Sequence, residues 1–254
     1  MQLASISIWD SFLTITMRDS SSIAVVSCND EQAWNQQQLE LPVSSPCFRL
    51  WRYAEPGVVL GRSQRNLVSA AEVRERAGIS LVERHAGGGA VLTGPWMLSA
   101  SIVLPESHTL ASPRLVDSYR WLGEIYADVL QQFGIAAQAL PPERATVLQQ
   151  DTRTAGLEWA CFAGFSPWEV VVGDRKIVGL AQSRKRNGTL FVAGLLLARP
   201  DWILLTRALD KPDASCAALA ARTTSCAEQL QRELHPDSIV MPLVHALRQA
   251  LDLP

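Results

Sequence analysis

The sequence predicts an α+β fold, and two stretches of the chain carry most of that prediction. Residues 112–135 indicate a helix, because apolar side chains recur there at three- or four-residue spacing and form one face. Residues 167–197 predict a meander of three strands, in which Asn187-Gly188 is a common two-residue hairpin turn. The chain shows no internal repeat and no low-complexity linker, so we expect a single domain over residues 1–254.

Local signals predict the other elements. Residues 30–41 indicate a helix capped by Asn29 or Asp30, and Ser112 would cap the helix that begins at Pro113 and stops at Gly134. The remaining expected elements are one or two strands within 5–17, strands over 46–53, 57–63 and 96–105, a helix over 69–79 that ends at Gly78, a strand from 80 into the glycines at 87–89, a tight turn at Gly173-Asp174, and a helical tail over 211–254 that follows a core of about 28–200.

Composition excludes several classes of protein. The chain has 254 residues, is 48% hydrophobic and carries a net charge of -2, so no strongly basic balance points to nucleic acid or to an anionic membrane, and an acidic partner would have to meet a local basic patch. The longest apolar runs, such as AGLLLA, are too short to cross a bilayer. No long exposed apolar helix stands out, which favours a monomer.

Five cysteines without a CxxC pair predict neither a disulfide framework nor a zinc site, and they fit a reducing compartment. The first basic residue is Arg18, so the charged start of a signal peptide is not predicted and we expect a cytoplasmic protein. The histidines have no metal-ligand spacing, and we expect no metal site. The serine-hydrolase motif GxSxG is also absent.

The stretch RHAGGGAVL, from Arg84 to Leu92, contains three consecutive glycines beside an arginine. Backbone N–H groups without Cβ atoms can form a nest for a phosphate or carboxylate, and Arg84 could add a charge-assisted contact to the anion. The spacing matches neither GxGxxG nor the P-loop. The residues alone leave open a plain glycine-rich turn, and they leave His85 open as a ligand contact or an exposed loop residue.

Two further residues are candidates for chemistry. Lys176 lies near the start of a predicted strand, and if it points inward its ammonium needs a partner such as an acyl carbonyl or a phosphate. Cys161 lies between apolar residues shortly before a strand, and it could be a nucleophile if a cation such as Lys176 stabilised its thiolate. Taken in isolation, a solvated lysine and an inert core cysteine are the simpler interpretations.

Several motifs in order resemble one family. WRYAEPGVVLGRSQ, ERHAGGGAV and DRKIVGLAQSRKRNGTLFVAGLLL are similar to segments of lipoate–protein ligases and octanoyl or lipoyl protein transferases, relatives of biotin protein ligase. The resemblance spans roughly residues 28–200. ACFAGFSPWEVVV resembles the branch of octanoyltransferases and amidotransferases in which a cysteine before the RKI strand carries the acyl group.

The resemblance implies a mixed, largely antiparallel sheet flanked by helices, as in class II aminoacyl-tRNA synthetases. It implies that Cys161 carries the acyl group and that Lys176 holds the acyl carbonyl or a phosphate. It also implies a pocket in which the acyl chain lies against the glycine backbone. The residues expected to bind the acyl group are Arg84, His85, Gly87, Gly88, Gly89, Ala90, Val91, Leu92, Gly179, Ala181, Gln182 and Gly194.

The implied reaction is a two-step acyl transfer through a Cys161 thioester, with no cofactor. The donor would be an acyl carrier protein or the glycine-cleavage carrier protein. The acceptor would be a lysine on a lipoyl domain of a 2-oxoacid dehydrogenase or on the glycine-cleavage protein. The alternative is a ligase that uses ATP and Mg²⁺ to form an acyl-adenylate. Family ligases that work as one chain usually carry an additional C-terminal domain. Here about fifty residues follow the core, which favours a transferase, or a ligase that needs a second protein.

Two departures from the family pattern open a third alternative. A histidine-aspartate pair commonly follows the glycine loop, where this chain has Thr93-Gly94. A histidine-glycine pair is common in the returning hairpin strand, where this chain has Ala193-Gly194. A relative that binds an acyl group without catalysis would fit these replacements.

Overall fold

The computed structural model describes residues 23, 25–64, 66–111, 114–150 and 156–253. The strands in this part of the chain are β1 (Val25–Val26), β2 (Cys47–Tyr53), β3 (Gly57–Leu60), β4 (Ser80–Glu83), β5 (Val91–Thr93), β6 (Met97–Leu104), β7 (Gln138–Ala139), β8 (Val170–Val172), β9 (Arg175–Lys185) and β10 (Gly188–Leu196). The helices are α1 (Cys28–Gln37), α2 (Ala70–Ala77), α3 (Arg120–Gln132), α4 (Pro142–Gln149), α5 (Trp202–Ala208), α6 (Ala214–Arg222), α7 (Cys226–Leu230) and α8 (Pro236–Ala250).

The strands form two sheets. The large sheet has the order β1-β2-β6-β10-β9-β8-β7, and the small one has the order β4-β3-β5. β1 runs parallel to β2 and β3 parallel to β4, whereas the other described neighbours pair antiparallel. The predicted α+β fold, with a mixed and largely antiparallel sheet, is therefore confirmed.

The large sheet separates two apolar cores, because successive side chains of a strand point to opposite faces. On β6, Leu98 and Ile102 join a core that includes side chains of α3 and α8. On the other face, Met97 joins a core that also contains side chains of the small sheet, α2, α5 and α6. Ser99, on the same face as Met97, bonds to α1. This face carries the candidate site.

Several elements that local signals predict are confirmed. Ser69 caps α2 through a reciprocal pair of hydrogen bonds with Glu72, and the helix ends at Gly78, whose φ is +68°. A hairpin joins β9 to β10 as predicted, but its two turn residues are Arg186-Asn187, because Gly188 already pairs with Lys185 as the first residue of β10. No helix in the described ranges is long and apolar enough to span a membrane.

The start of α1 differs from the prediction. Ser27 is the cap, and α1 covers Cys28–Gln37 rather than residues 30–41. Asp30 occupies the third helical position, where its carboxylate accepts a hydrogen bond from the Ser27 N–H at 2.9 Å. Asp30 is thus the second half of a capping box rather than the cap itself.

The helix predicted over 112–135 also begins later. A 3₁₀ turn over Asp117–Tyr119 precedes α3, which starts at Arg120. Leu115, whose spacing places it on the apolar face, is 57% exposed because the regular helix does not reach it. Ser112-Pro113 and the strands expected within 5–17 lie outside the described residues.

Candidate functional site

A cleft lies between α1 and the Ser99 face of the large sheet. The strand register divides its floor into three rows. The first row is Ser99, Gly194 and Gly179, the second row is Val192 and Ala181, and the third row is Leu190 and Ser183.

Cys161 lies at the first-row end of the cleft. Its neighbour Phe162 packs against both glycines of that row, where a Cβ on Gly179 would come within 3.2 Å of the ring. The Cys161 N–H donates to the carbonyl oxygen of Ala90 at 2.9 Å, and the Ala90 N–H donates to Trp159 O at 2.7 Å. These two bonds tie the cysteine segment to the glycine loop. The thiol itself is free and half-buried.

Arg84 brings a positive charge to the thiol. Its Nη2 lies 3.8 Å from Cys161 Sγ and also donates to the carbonyl oxygens of Gly87 at 2.9 Å and Gly89 at 3.1 Å. The two carbonyl bonds fix the guanidinium beside the sulfur. A cation held in this position stabilises a thiolate, which is the nucleophilic form of cysteine.

The glycines of the loop make room for the protein's own backbone. A Cβ on Gly89 would come within 2.7 Å of Trp159 O, and a Cβ on Gly61 would overlap the carbonyl oxygen of Gly88. Gly88 has a φ of +94°, which side chains rarely adopt. Gly87 has nothing within 4 Å of its missing Cβ. The loop therefore packs against the Cys161 segment. Its contact with an acyl chain or a phosphate stays a prediction.

Lys176 is buried, with its side chain 1% exposed, and it forms an ion pair with Glu169 at 2.7 Å. Its Nζ also donates to the carbonyl oxygen of Cys161 at 2.9 Å. The rings of Phe162 and Phe165 face the ammonium at 5.6 and 5.7 Å. Lys176 thus contacts the backbone of the cysteine and not its thiol, and the ammonium pairs with the carboxylate of Glu169 rather than with the expected acyl carbonyl or phosphate.

Glu169 is a residue that the sequence analysis missed. Besides Lys176, it accepts hydrogen bonds from the Ser166 N–H at 2.7 Å and the Leu180 N–H at 3.3 Å. Glu169 thus joins the loop after Cys161 to β9, and it positions both of these segments at the site.

A second buried carboxylate, Glu31 of α1, lines the cleft opposite the sheet. The hydroxyls of Tyr53 and Ser99 donate to it at 2.7 and 2.8 Å, and the Gln32 amide donates at 3.2 Å. Burial raises the pKa of Glu31, although these bonds and the charge of Arg84 partly offset the rise.

The predicted site residues divide into two groups. Those that line the cleft are Cys161, Arg84, His85, Val91, Gly179, Ala181 and Gly194. Those that do not line it are Lys176, Gly87, Gly88, Gly89, Ala90, Leu92 and Gln182. Leu92 is fully buried in the second core. Gln182 points away from the cleft, because its amide bonds to Leu115 O and accepts from Ser118.

The positions that depart from the family pattern have different surroundings. Thr93 lines the cleft, but its hydroxyl donates to Gly57 O at 3.1 Å. Ala193 lies in the core on the opposite face of the sheet, so only its neighbours Val192 and Gly194 reach the cleft. Among the described residues, no cluster of three or more His, Cys, Asp or Glu could hold a metal ion.

Comparison with known proteins identifies relatives of the chain. The family model of the lipoyl protein ligase A/B catalytic domain matches residues 30–248. Octanoyltransferase LipM of Exiguobacterium sp. is 29% identical over 163 residues, which are 63% of this chain and 57% of that protein. Octanoyltransferase LipM of Moorella thermoacetica is 32% identical over 154 residues, which are 60% of this chain and 54% of that protein. The match thus spans little more than half the length of these two relatives.

Solved structures with a similar fold include lipoate protein ligases. Lipoate-protein ligase A bound with ATP has a TM-score of 0.63 and 19% identity, over 91% of this chain and 84% of that chain. The bi-partite lipoate protein ligase of Thermoplasma acidophilum has a TM-score of 0.63 and 17% identity, over 91% of this chain and 83% of that chain. At these identities the likeness establishes the fold alone.

Proposed function

Because the chain belongs to the lipoyl protein ligase A/B catalytic domain family, we propose that it transfers a medium-chain acyl group, octanoyl or lipoyl, to a lysine of a lipoyl domain. One observation carries the proposal. The half-buried Cys161 thiol lies in the cleft, 3.8 Å from the fixed guanidinium of Arg84. The naming of the LipM relatives as octanoyltransferases supports the same reaction.

In the first step, the Cys161 thiolate attacks the carbonyl carbon of an acyl thioester on a carrier protein. A carbon–sulfur bond forms to Cys161, the bond to the carrier sulfur breaks, and the carrier thiolate leaves. Arg84 stabilises the attacking thiolate before the reaction and the same sulfur when it leaves in the second step.

In the second step, the neutral amine of the acceptor lysine attacks the acyl-Cys161 thioester. An amide bond forms, the bond to Cys161 sulfur breaks, and the thiolate is regenerated. The proton that the amine loses balances the proton that the released carrier thiolate gains, so the overall reaction needs no further reactant.

In this reaction Lys176 is a positioning residue. Its ammonium holds the carbonyl oxygen of Cys161, and Glu169 holds the ammonium. The pair fixes the direction in which the thiol enters the cleft, while Arg84 supplies the positive charge near the sulfur. This assignment differs from the expected direct contact of Lys176 with the acyl carbonyl.

We propose an acyl carrier protein or the glycine-cleavage carrier protein as donor, and lipoyl domains of 2-oxoacid dehydrogenases or the glycine-cleavage protein as acceptor. The transferase needs no cofactor. The position of Cys161 in the cleft beside Arg84 supports a transferase rather than a ligase, because a ligase that forms an acyl-adenylate needs no cysteine. Free thiols suit a reducing compartment such as the cytoplasm.

A transfer assay tests the proposal. The protein is incubated with octanoyl-carrier protein and an unmodified lipoyl domain without ATP, and octanoylation of the domain is measured by mass. We expect transfer by the wild type and by Cys216→Ala, a matched control at a half-buried cysteine of α6 that does not line the cleft, and none by Cys161→Ala.

Two other outcomes would contradict the transferase. Modification that requires free octanoate with ATP and Mg²⁺, and that survives Cys161→Ala, would establish the ligase. Octanoyl binding without modification from either donor would establish an acyl-binding protein that lacks catalysis.

A further inference from the structure

The β9–β10 hairpin carries three consecutive basic side chains at its end. Arg184 and Lys185 are the last residues of β9, Arg186 belongs to the turn, and all three are exposed. We call Arg184, Lys185 and Arg186 the basic tip. Because the whole chain carries a net charge of -2, the basic tip is a local patch of positive charge on a protein that is not basic overall.

Much of the charge of the basic tip is left without a counter-charge. Other surface arginines bind acids of the same chain, and Arg120 and Arg144 each hold a carboxylate oxygen within 2.8 Å. In contrast, neither Lys185 nor Arg186 forms an ion pair or a side-chain hydrogen bond with a described residue. Exposed charges of one sign attract a partner of the opposite sign and speed its association.

The protein holds the basic tip in a fixed position. The side-chain amide of Asn187 donates to the carbonyl oxygens of Leu39 at 3.1 Å and Glu40 at 2.9 Å, just after the end of α1. The Val43 N–H donates in return to the carbonyl oxygen of Asn187 at 2.8 Å. These bonds join the hairpin to the segment that follows α1, the helix on the other side of the cleft. Since the tip is already ordered, a partner that binds it loses little affinity to the entropy of ordering.

The basic tip also lies at one end of the cleft, because Lys185 is among the lining residues. On β9, Lys185 is six residues from Gly179, which is about 20 Å at about 3.4 Å per residue. Gly179 lies in the first row, where Phe162 packs beside Cys161. A lysine side chain has five bonds of about 1.5 Å and reaches about 6 Å, too short to span this distance. An acyl carrier protein, by contrast, holds its thioester at the end of a long flexible prosthetic arm.

We propose that the basic tip docks an acidic face of the carrier protein that donates the acyl group. Lys185 and Arg186 contact carboxylates of the carrier, and its prosthetic arm extends along the cleft toward Cys161. Charges at the rim of an interface act mainly on the rate of association, so the basic tip favours capture of the donor and not the chemical step. The inference rests on the proposed acyl transfer through Cys161 and adds the docking surface of the donor.

The experiment compares two donors, octanoyl on the carrier protein and octanoyl-pantetheine, which has the arm without the protein. The rate at which Cys161 becomes acylated is measured by intact mass for the wild type, Lys185→Glu, Arg186→Glu and Arg232→Glu. Arg232→Glu reverses the same charge at an exposed position that does not line the cleft. In both variants of the basic tip, we expect the rate with the carrier donor to fall about tenfold relative to the rate with octanoyl-pantetheine. In Arg232→Glu the ratio should stay as in the wild type, and in about 1 M salt, where the Debye length is about 3 Å, the difference should disappear.

A ratio that both variants of the basic tip leave unchanged would overturn the inference, and so would an equal fall in Arg232→Glu. A loss confined to the second step, from octanoyl-Cys161 to a lipoyl domain, would also overturn it, because the tip would then dock the acceptor. In these cases Cys161 is still acylated, so the proposed transferase would stand. If neither donor acylates Cys161, the proposed function fails together with the inference.

Discussion

Breaking the buried ion pair between Lys176 and Glu169 should destabilise the protein more than any single change on its surface. The two side chains are 1% and 2% exposed, and their charged atoms are 2.7 Å apart. At an effective dielectric constant of about 20, the attraction is about 6 kcal/mol. Much of this attraction offsets the loss of hydration of both ions, so the pair itself adds little net stability.

Removal of one partner leaves the other charge buried without compensation, which costs about 3–5 kcal/mol. Lys176→Met should cost about 3 kcal/mol, because Glu169 keeps the N–H groups of Ser166 and Leu180. Glu169→Gln should cost more, because Lys176 keeps a single carbonyl oxygen and two aromatic rings. In the double variant no buried charge remains, so its cost should be smaller than the sum of the two.

Urea unfolding followed by far-UV circular dichroism measures these free energies, and the double-mutant cycle gives the coupling between the two residues. We expect a coupling of about 2 kcal/mol. Single costs below about 1 kcal/mol, or two costs that simply add, would refute the claim that the pair is buried and mutually dependent.

Three further predictions concern the glycine loop, a buried thiol and a buried carboxylate. Gly89→Ala should lower the free energy of unfolding by about 1–3 kcal/mol, because its Cβ would meet the carbonyl oxygen of Trp159 at 2.7 Å. Gly87→Ala should be tolerated, because nothing lies within 4 Å of its Cβ position, and thermal unfolding of the two variants measures the difference. Burial raises the pKa of Cys226 to about 12, so at pH 8 iodoacetamide should alkylate the half-buried Cys161 well before Cys226, and peptide mapping that finds the reverse order would contradict the structure. Because burial raises the pKa of Glu31, the folded state holds this proton more tightly than the unfolded state, and the contribution of Glu31 to stability falls as pH rises from the ordinary value of 4.5. As the pH rises from about 4 to about 7, the free energy of unfolding of Glu31→Gln should therefore increase relative to that of the wild type, as measured by urea unfolding. A difference between the two proteins that does not change with pH would count against the raised pKa.

Local sequence signals were reliable where neighbouring residues decide the structure. The stop of α2 at Gly78 and the tight turn at Gly173-Asp174 between β8 and β9 were both predicted, and each depends on residues within one turn of each other. The late start of α3 depends on contacts that are distant in sequence, because Gln182 of β9 donates to Leu115 O and the Ser118 hydroxyl donates to Gln182. Spacing within a helix carries no information about such contacts.

The sequence brought Cys161 and Arg84 to attention, but not their relation. A thiol and a guanidinium 77 positions apart meet only because the Cys161 segment bonds to Ala90, which no local pattern indicates. The same packing accounts for the absence of a side chain at Gly89, where the segment that contains Cys161 approaches the glycine loop closely. From the sequence alone, the close approach of a ligand is an equally good explanation.

The residues of the site that sequence analysis missed are polar groups whose neighbours in the sequence do not indicate a functional role. Glu169 is a single acid within the apolar run SPWEVVV, and it could have been matched to a buried Lys176 that needs a partner. Glu31 offered no such signal. It belongs to a mostly polar helix, CNDEQAWNQQ, in which no apolar stripe indicates the buried side.

Intact-protein mass after incubation with octanoyl-carrier protein, without ATP, tests the central claim most directly. The account predicts an octanoyl adduct on the wild type that hydroxylamine removes, as expected of a thioester, and no such adduct on Cys161→Ala. An unmodified wild type, or an adduct that persists in Cys161→Ala, would contradict the assignment of Cys161 as the residue that carries the acyl group.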